Sequence, residues 1–226
     1  MFTVTLLVGA TAYYAQASDL GWSAVAQADN QLAGATRQIF YAKYINWTMT
    51  FPSLALALGL VAGVSWTTIF CNIFVACFWV LSYLAAAYTT TDYKWGFFAL
   101  GTFAWIILAM STLNESYEAA APLGIGRDYI ILSGAVNILW LLYPVAFGLS
   151  DGGNRIGVTG GSIFFGVLDV LIGPGMAFAF LFLARKWDYG KLKIDFSESR
   201  HYRGTREGAQ LGKETTHRVD ADPSVV

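Results

Sequence analysis

Long apolar stretches alternate with short polar or glycine-rich segments through the first 186 residues. A helix needs about 20 apolar residues to cross the roughly 30 Å hydrocarbon core of a bilayer, so each stretch predicts a membrane-spanning helix. The predicted spans lie near residues 38–60, 66–88, 95–117, 128–149 and 161–185, with a partial span near 2–17. Their short connections make neighbouring spans antiparallel. The pattern therefore predicts an all-α membrane protein, an up-and-down bundle of about six transmembrane helices.

The first apolar segment, residues 2–17, has two interpretations. It is slightly short for a span, and Ala15-Gln16-Ala17 resembles a signal-peptidase site. A signal peptide normally also begins with basic residues, and Met1–Leu7 has none. We therefore expect this segment to begin the bundle.

Charge is concentrated at the C-terminal end. Charged residues make up 13% of the chain, against about 25% in a typical soluble domain. Nine of the 14 Lys and Arg residues lie at or beyond Arg185. This bias places the C-terminus in the cytoplasm, and the composition predicts a bundle at 1–186 followed by a polar, disordered tail at 187–226. The net charge of −1 and the lack of a basic face outside the tail give no support for nucleic-acid binding.

Few ionisable side chains fall inside the predicted spans, and such residues are functional candidates. Lys43 lies about six residues into its span and Asp169 about eight residues into the last one, both from the outer side. A buried charge without a partner is strongly destabilising. We therefore expect Lys43 and Asp169 to form an ion pair or to share a water molecule.

Further polar and aromatic residues share that depth and predict one interior layer. Its members at helical spacing are Lys43, Asn46, Trp47 and Thr50 in one span, Trp140 and Tyr143 in another, and Asp169 and Gly173 in the last. This layer has two interpretations, a polar contact that joins the helices or a ligand or ion site. The histidines, His201 and His217, lie in the tail, so the spans offer no metal site.

These residues resemble the motifs of the microbial rhodopsin family. Lys43-Tyr44-Ile45-Asn46-Trp47-Thr48-Met49-Thr50-Phe51-Pro52 is similar to the family's third-helix motif, Arg-Tyr-x-Asp-Trp-x-x-Thr-x-Pro. Trp140-x-x-Tyr143-Pro144 resembles the sixth-helix motif, and Leu168-Asp169-Val170 the seventh. The resemblance runs from about residue 2 to residue 186. It implies that residues 2–17 correspond to the family's second helix, and that the first helix is missing.

The sequence departs from that family at the positions that bind retinal and transfer protons. The family carries retinal on a lysine one turn after the seventh-helix aspartate, and Gly173 stands there. The third-helix proton acceptor is Asn46, and the usual proton-donor position holds Ala57. The resemblance therefore implies a pocket that has lost its cofactor. It excludes covalently bound retinal and light-driven pumping by the family mechanism, and leaves non-covalent retinal or lipid open.

The loss of the lysine with retention of Trp, Tyr, Pro and Asp is similar to the fungal opsin-related proteins, including 30 kDa heat-shock membrane proteins. That resemblance implies a stress-associated plasma-membrane protein that acts through partners such as the plasma-membrane proton ATPase. A homo-oligomer is a further alternative.

Two other functions remain open from the residues. One is a proton or ion transporter or channel lined by the interior polar groups. The other is a receptor that binds a small apolar molecule in the aromatic layer, unless a side chain such as Trp79 fills it. No nucleophile with a base, metal cluster or phosphate loop is visible in the spans, so we expect no enzyme.

Overall fold

The computed structural model describes residues 1–29 and 35–187 and contains the predicted bundle of helices. The expected tail lies outside the described residues, apart from Trp187. The helices are α1 (Phe2–Ala17), α2 (Tyr41–Ala62), α3 (Trp66–Tyr88), α4 (Lys94–Met110), α5 (Ser116–Ala120), α6 (Gly126–Phe147), α7 (Val158–Val170) and α8 (Met176–Ala184). The strands are β1 (Trp22–Ala26) and β2 (Thr36–Phe40).

Within the described residues, five continuous helical rods are long and apolar enough to cross a membrane. They are Tyr41–Ala62, Trp66–Tyr88, Lys94–Leu123, Gly126–Gly152 and Val158–Ala184. With the 16-residue α1 they make six helical segments, so the expected bundle of about six helices is confirmed.

Short turns fix the antiparallel course of the helices. α2 ends at Gly63, whose φ of 73° is left-handed and favours glycine. Two residues later Ser65 caps α3, because its side-chain oxygen accepts the backbone N–H of Thr68 at 3.2 Å. A left-handed stop followed by an N-cap reverses the chain within three residues.

A β-hairpin between α1 and α2 was not expected from the sequence. β1 and β2 pair antiparallel, with Trp22 opposite Phe40 and Val25 opposite Arg37. Alternate residues of β2 turn inward, and Ile39 is fully buried. Because residues 36–40 belong to this strand, α2 begins at Tyr41 rather than near residue 38.

Three π-helical segments, whose turns are wider than those of an α-helix, occur in the rods. Ser111–Glu115 and Leu171–Gly175 lie within their rods, and Gly148–Gly152 ends its rod. The Leu171–Gly175 segment contains Gly173-Pro174-Gly175. Proline has no backbone N–H to donate, and glycine gives the helix little resistance to distortion. The regular hydrogen bonding of the last rod is therefore replaced by the wider pattern between α7 and α8.

The distribution of apolar side chains is that of a membrane bundle. The interior holds large aromatic residues such as Trp47 and Trp140, which are 2% and 0% exposed. Large apolar side chains also cover the outside, where Phe74 is 70% exposed and Phe178 is 72% exposed. Such extensive apolar exposure would promote aggregation in water but suits contact with lipid.

Candidate functional site

A buried carboxylate on α7, Asp169, accepts hydrogen bonds from four side chains. Tyr143 donates its hydroxyl to Oδ1 at 2.5 Å, and Trp47 donates its indole N–H to the same oxygen at 2.9 Å. Tyr13 donates to Oδ2 at 2.6 Å, and Asn46 Nδ2 lies 3.3 Å from that oxygen. All four donors are neutral, and an ionised carboxyl group only accepts. The arrangement therefore fits a carboxylate anion.

One face of α2 supplies two of these donors. Asn46, Trp47 and Thr50 are all buried on the side facing Asp169, at the spacing read from the sequence. Thr50 does not bond the carboxylate itself. Its hydroxyl donates to Asn46 Oδ1 at 3.2 Å, which orients the amide so that its nitrogen points at Asp169.

Tyr13 was missed by the sequence analysis. It lies on α1, which was treated as a partial span without functional side chains. Its hydroxyl makes a short bond to Asp169, 156 residues away in the chain. The available signal was a phenol within a predicted membrane segment, since polar groups at membrane depth usually have a partner.

An aromatic layer packs beside the carboxylate and includes three residues that the sequence placed there, Trp47, Trp140 and Tyr143. The ring centroid of Phe51 lies 4.8 Å from that of Trp79, 4.8 Å from that of Tyr143 and 5.8 Å from that of Trp140. Phe51 also stacks on Trp47 at 6.2 Å. All five rings are at most 2% exposed. The side chains of Phe51 and Trp79 thus fill the space in which a small apolar ligand was considered.

A cavity of about 190 Å³ lies on the other side of Asp169, next to Gly173. A Cβ atom placed on Gly173 would have Leu6 Cδ2, at 3.9 Å, as its nearest neighbour, so a side chain at this position would enter open space. The lining comes from α1, α2 and the last rod: Thr5, Leu6, Gly9, Ala10, Tyr13, Asn46, Thr50, Asp169, Val170, Ile172, Gly173 and Pro174.

The expected ion pair between Lys43 and Asp169 is wrong. Within the described residues, the Lys43 ammonium instead pairs with Asp151, and both side chains are buried. α2 begins at Tyr41, so Lys43 is its third residue and lies only about 3 Å along the helix axis from Tyr41. Lys43 is therefore at the same level as Asp151, which lies at the end of the Gly126–Gly152 rod. Asp169 lies further into the bundle, in α7.

Asp151 also holds a second cation. Arg37 Nε lies 3.4 Å from Asp151 Oδ1, and the Arg37 guanidinium donates to the Ile156 carbonyl at 2.9 Å. Tyr44 donates its hydroxyl to Asp151 Oδ2 at 2.8 Å. One buried carboxylate therefore joins the hairpin, α2 and the segment after α6.

A further ion pair ties the hairpin loop to α4. Lys94 Nζ lies 3.0 Å from Asp29 Oδ2, and Trp95 donates its indole N–H to the same oxygen at 2.8 Å. Asn154 Nδ2 donates to the Asp29 carbonyl at 3.1 Å. The hydrogen bond from Lys94, helped by that from Trp95, holds the pKa of Asp29 below its ordinary value. We call Arg37, Lys43, Lys94, Asp29 and Asp151 the outer charge cluster, because the sequence predicts that this end of the bundle faces outward.

Sequence comparison identifies relatives over the whole helical part. The profile of the family described as bacteriorhodopsin-like protein matches residues 2–188. Protein FDD123 of Trametes versicolor is 38% identical over 191 residues, which cover 82% of this chain and 66% of that protein. The opsin-like protein carO of Fusarium fujikuroi is 32% identical over 194 residues, 83% of this chain and 63% of that protein.

The 30 kDa heat shock protein of Saccharomyces cerevisiae is 31% identical over 181 residues, which cover 71% of this chain and 54% of that protein. The chain thus spans less than two thirds of the length of each of these three relatives.

Solved structures share the fold. The light-driven proton pump LR (Mac) from Leptosphaeria maculans is 30% identical with a TM-score of 0.74, covering 84% of this chain and 81% of that one. The light-driven proton pump rhodopsin CsR of Coccomyxa subellipsoidea is 26% identical with a TM-score of 0.75, covering 79% and 78%. The chain therefore belongs to the bacteriorhodopsin-like family of multi-pass membrane proteins, and its relatives include fungal opsin-related proteins.

Proposed function

We propose that this chain is a non-photoactive, opsin-related membrane protein that acts through other membrane proteins and carries no covalently bound retinal. The observation that carries the proposal is Gly173, four residues after Asp169, where the family has its retinal lysine. Glycine has no amine with which an aldehyde could condense. Lys43 and Lys94 do not substitute for it, because each is buried in an ion pair of the outer charge cluster.

The residues at the family's proton-transfer positions support the same proposal. Asn46 occupies the acceptor position and Ala57 the donor position, and neither side chain titrates. Asn46 is committed to hydrogen bonds with Asp169 and Thr50, which keep its amide in place. Ala57 is buried without any proton-carrying group of its own. A light-driven proton relay would have to use other groups.

We place the protein in the plasma membrane, with its C-terminus in the cytoplasm, as a stress-associated regulator without enzymatic activity. The 30 kDa heat shock protein among its relatives supports the association with stress. The proposed partner is a plasma-membrane proton ATPase, and a second copy of the chain is the alternative partner. Because the relatives are longer, these assignments rest on the helical part that they share with this chain.

The non-photoactive part is tested by adding all-trans retinal to the purified protein in detergent. No hydroxylamine-sensitive visible absorption band should form. The Leptosphaeria maculans proton pump, freed of retinal and treated in parallel, is the positive control. A strong visible band in this chain would overturn the proposal, and mass spectrometry of the adduct would then identify the modified lysine.

The partner is tested by co-purification from native membranes, with the full chain and with a variant that ends at Trp187. If the tail captures the proton ATPase, the shortened chain should lose it. If the bundle captures it, both should retain it. Recovery of neither the ATPase nor a second copy by the full chain would contradict action through these partners.

A small-molecule receptor is the second candidate, and the cavity beside Gly173 favours it. The transporter alternative has less support, because it relied on Lys43 and Asp169 acting together and Lys43 is bound to Asp151. Flux measurements in liposomes discriminate between them. A transporter should lose flux when Asp169 is changed to Asn, and a receptor should show no flux at all.

A further inference from the structure

The charge of Asp169 has no counter-ion in the part of the chain that the structure describes. The side chains that bond it are two phenols, an indole and an amide, and the described salt bridges all lie in the outer charge cluster. Asp169 is only 6% exposed. A buried carboxylate that has hydrogen bonds but no cation is costly, so a positively charged ligand beside it would be bound strongly.

The cavity beside Gly173 offers such a ligand a polar end. Asp169 and Asn46 both line it. Asn46 Oδ1 lies toward α1, because a Cβ atom added to Gly9, another lining residue, would come within 3.2 Å of it. Two acceptor oxygens from different helices therefore border the same end of the cavity, and a cation with several N–H groups could bond both.

Most of the remaining lining is apolar, and its three hydroxyls already donate within the protein: Thr5 to the Phe2 carbonyl, Tyr13 to Asp169 and Thr50 to Asn46. Leu6 and Ala10 come from α1, and Val170, Ile172 and Pro174 come from the last rod. These side chains supply no oxygen ligands, whereas Ca²⁺ and Mg²⁺ require six or more, so the site does not suit a bare metal ion. A neutral apolar molecule would leave the carboxylate without a counter-ion. The chemistry instead matches a molecule with one cationic end and an alkyl chain.

We propose that this cavity binds a small primary alkylammonium ion, with its NH₃⁺ group on Asp169 and Asn46 and its alkyl chain against the apolar lining. This site goes beyond the proposed action through protein partners. The three N–H donors of an ammonium fit the acceptors available. The volume of about 190 Å³ exceeds the roughly 150 Å³ of an engineered cavity that holds benzene, so a chain of about four to six carbons fits.

The test uses the full chain in detergent, titrated with n-hexylammonium chloride, with the indole N–H signal of Trp47 followed by NMR. Trp47 donates to Asp169, so an ammonium on that carboxylate should shift its signal saturably. The signal is assigned by its loss in Trp47→Phe. Melting temperature, which should rise with ligand, is a second readout. No saturable shift in the wild-type protein would overturn the proposal.

Matched ligands establish the chemical class. 1-Hexanol has the alkyl chain without the charge, tetrapropylammonium has the charge without N–H donors, and sodium chloride at equal ionic strength supplies a metal cation. None should reproduce the shift of Trp47. An equal effect of hexanol would mean an apolar cavity only, and an equal effect of sodium or of tetrapropylammonium would mean a site for any cation. Each of these outcomes would overturn the alkylammonium assignment.

Two variants locate the site. Asp169→Asn removes the charge and should weaken hexylammonium binding by about thirtyfold or more. Gly173→Leu fills the cavity, leaves the carboxylate in place and should abolish binding even if Asp169→Asn folds poorly. Asp19→Asn, at an exposed carboxylate outside the bundle, is the control and should bind normally. Unchanged binding in Gly173→Leu would overturn the site, whereas the retinal test separately decides the non-photoactive function.

Discussion

Lys43 on α2 and Asp151 at the end of the Gly126–Gly152 rod form a buried ion pair, although they are 108 residues apart in sequence. The same carboxylate also holds Arg37 of the hairpin and the hydroxyl of Tyr44. Because one carboxylate pairs with cations from two elements, Asp151 ties β2 and α2 to the end of the Gly126–Gly152 rod. Its loss would leave two positive charges buried near each other.

We expect Asp151→Asn to lower the free energy of unfolding by about 3–5 kcal/mol, the usual cost of leaving a buried charge without its partner. The double variant Lys43→Met/Asp151→Asn should lose less than the sum of the two single changes, because the methionine leaves no ammonium to bury. Denaturation in a mixed detergent with increasing dodecyl sulfate measures each value. Additive losses would mean that Lys43 and Asp151 do not depend on each other.

The pair of Asp29 with Lys94 predicts a pH dependence. The pKa of Asp29 is lowered in the folded protein, chiefly by the hydrogen bond from Lys94. A lowered pKa stabilises the fold fully above the unfolded value of roughly 4, and that contribution is lost as pH falls through the lower folded value. Asp29→Asn should therefore melt below the wild type at pH 7, and the difference should shrink toward about pH 3. A difference that stays constant would exclude ionisation of Asp29 as its cause.

The helices and most of the Asp169 site were predictable because both follow from simple periodicities. Hydrocarbon thickness sets the span lengths, and the i, i+3, i+4 spacing brings Asn46 and Trp47 onto one face. Asp169 and Tyr143 were then the polar groups left at the same depth. Neither span length nor helical periodicity identifies which of several carboxylates a buried lysine pairs with.

The wrong partner for Lys43 has one physical origin, the segment between α1 and α2. Continuing the apolar pattern of the span back to residue 38 places Lys43 too deep in the membrane and beside Asp169. Residues 36–40 instead pair with residues 22–26, so the helix starts later. Strand pairing over such a distance depends on both segments at once, and a scan along one segment cannot detect it. Arg37, which lies in β2, was missed for the same reason.

The aromatic layer predicts a large cost for removing its central ring. Phe51 is 1% exposed and contacts four other aromatic rings. Phe51→Ala should lower the free energy of unfolding by about 3–5 kcal/mol, since the surrounding rings can collapse only in part. Phe74→Ala on the outside of α3, where the side chain is 70% exposed, should stay within about 0.5 kcal/mol of the wild type. Equal losses would contradict a packed layer.

Gly173→Lys should stabilise the protein, although it adds a charged side chain to the bundle. A side chain there meets open cavity rather than neighbouring atoms, and Asp169 lies one helical turn before it. The new ammonium would supply the counter-ion that Asp169 lacks, which we expect to raise the free energy of unfolding by about 1–3 kcal/mol. Gly173→Met has nearly the same length and also removes the flexible glycine, but it has no charge. The gain of the lysine over the methionine should disappear in the Asp169→Asn background. If lysine is no better than methionine with Asp169 intact, the carboxylate already has a partner and the cavity is not a cation site.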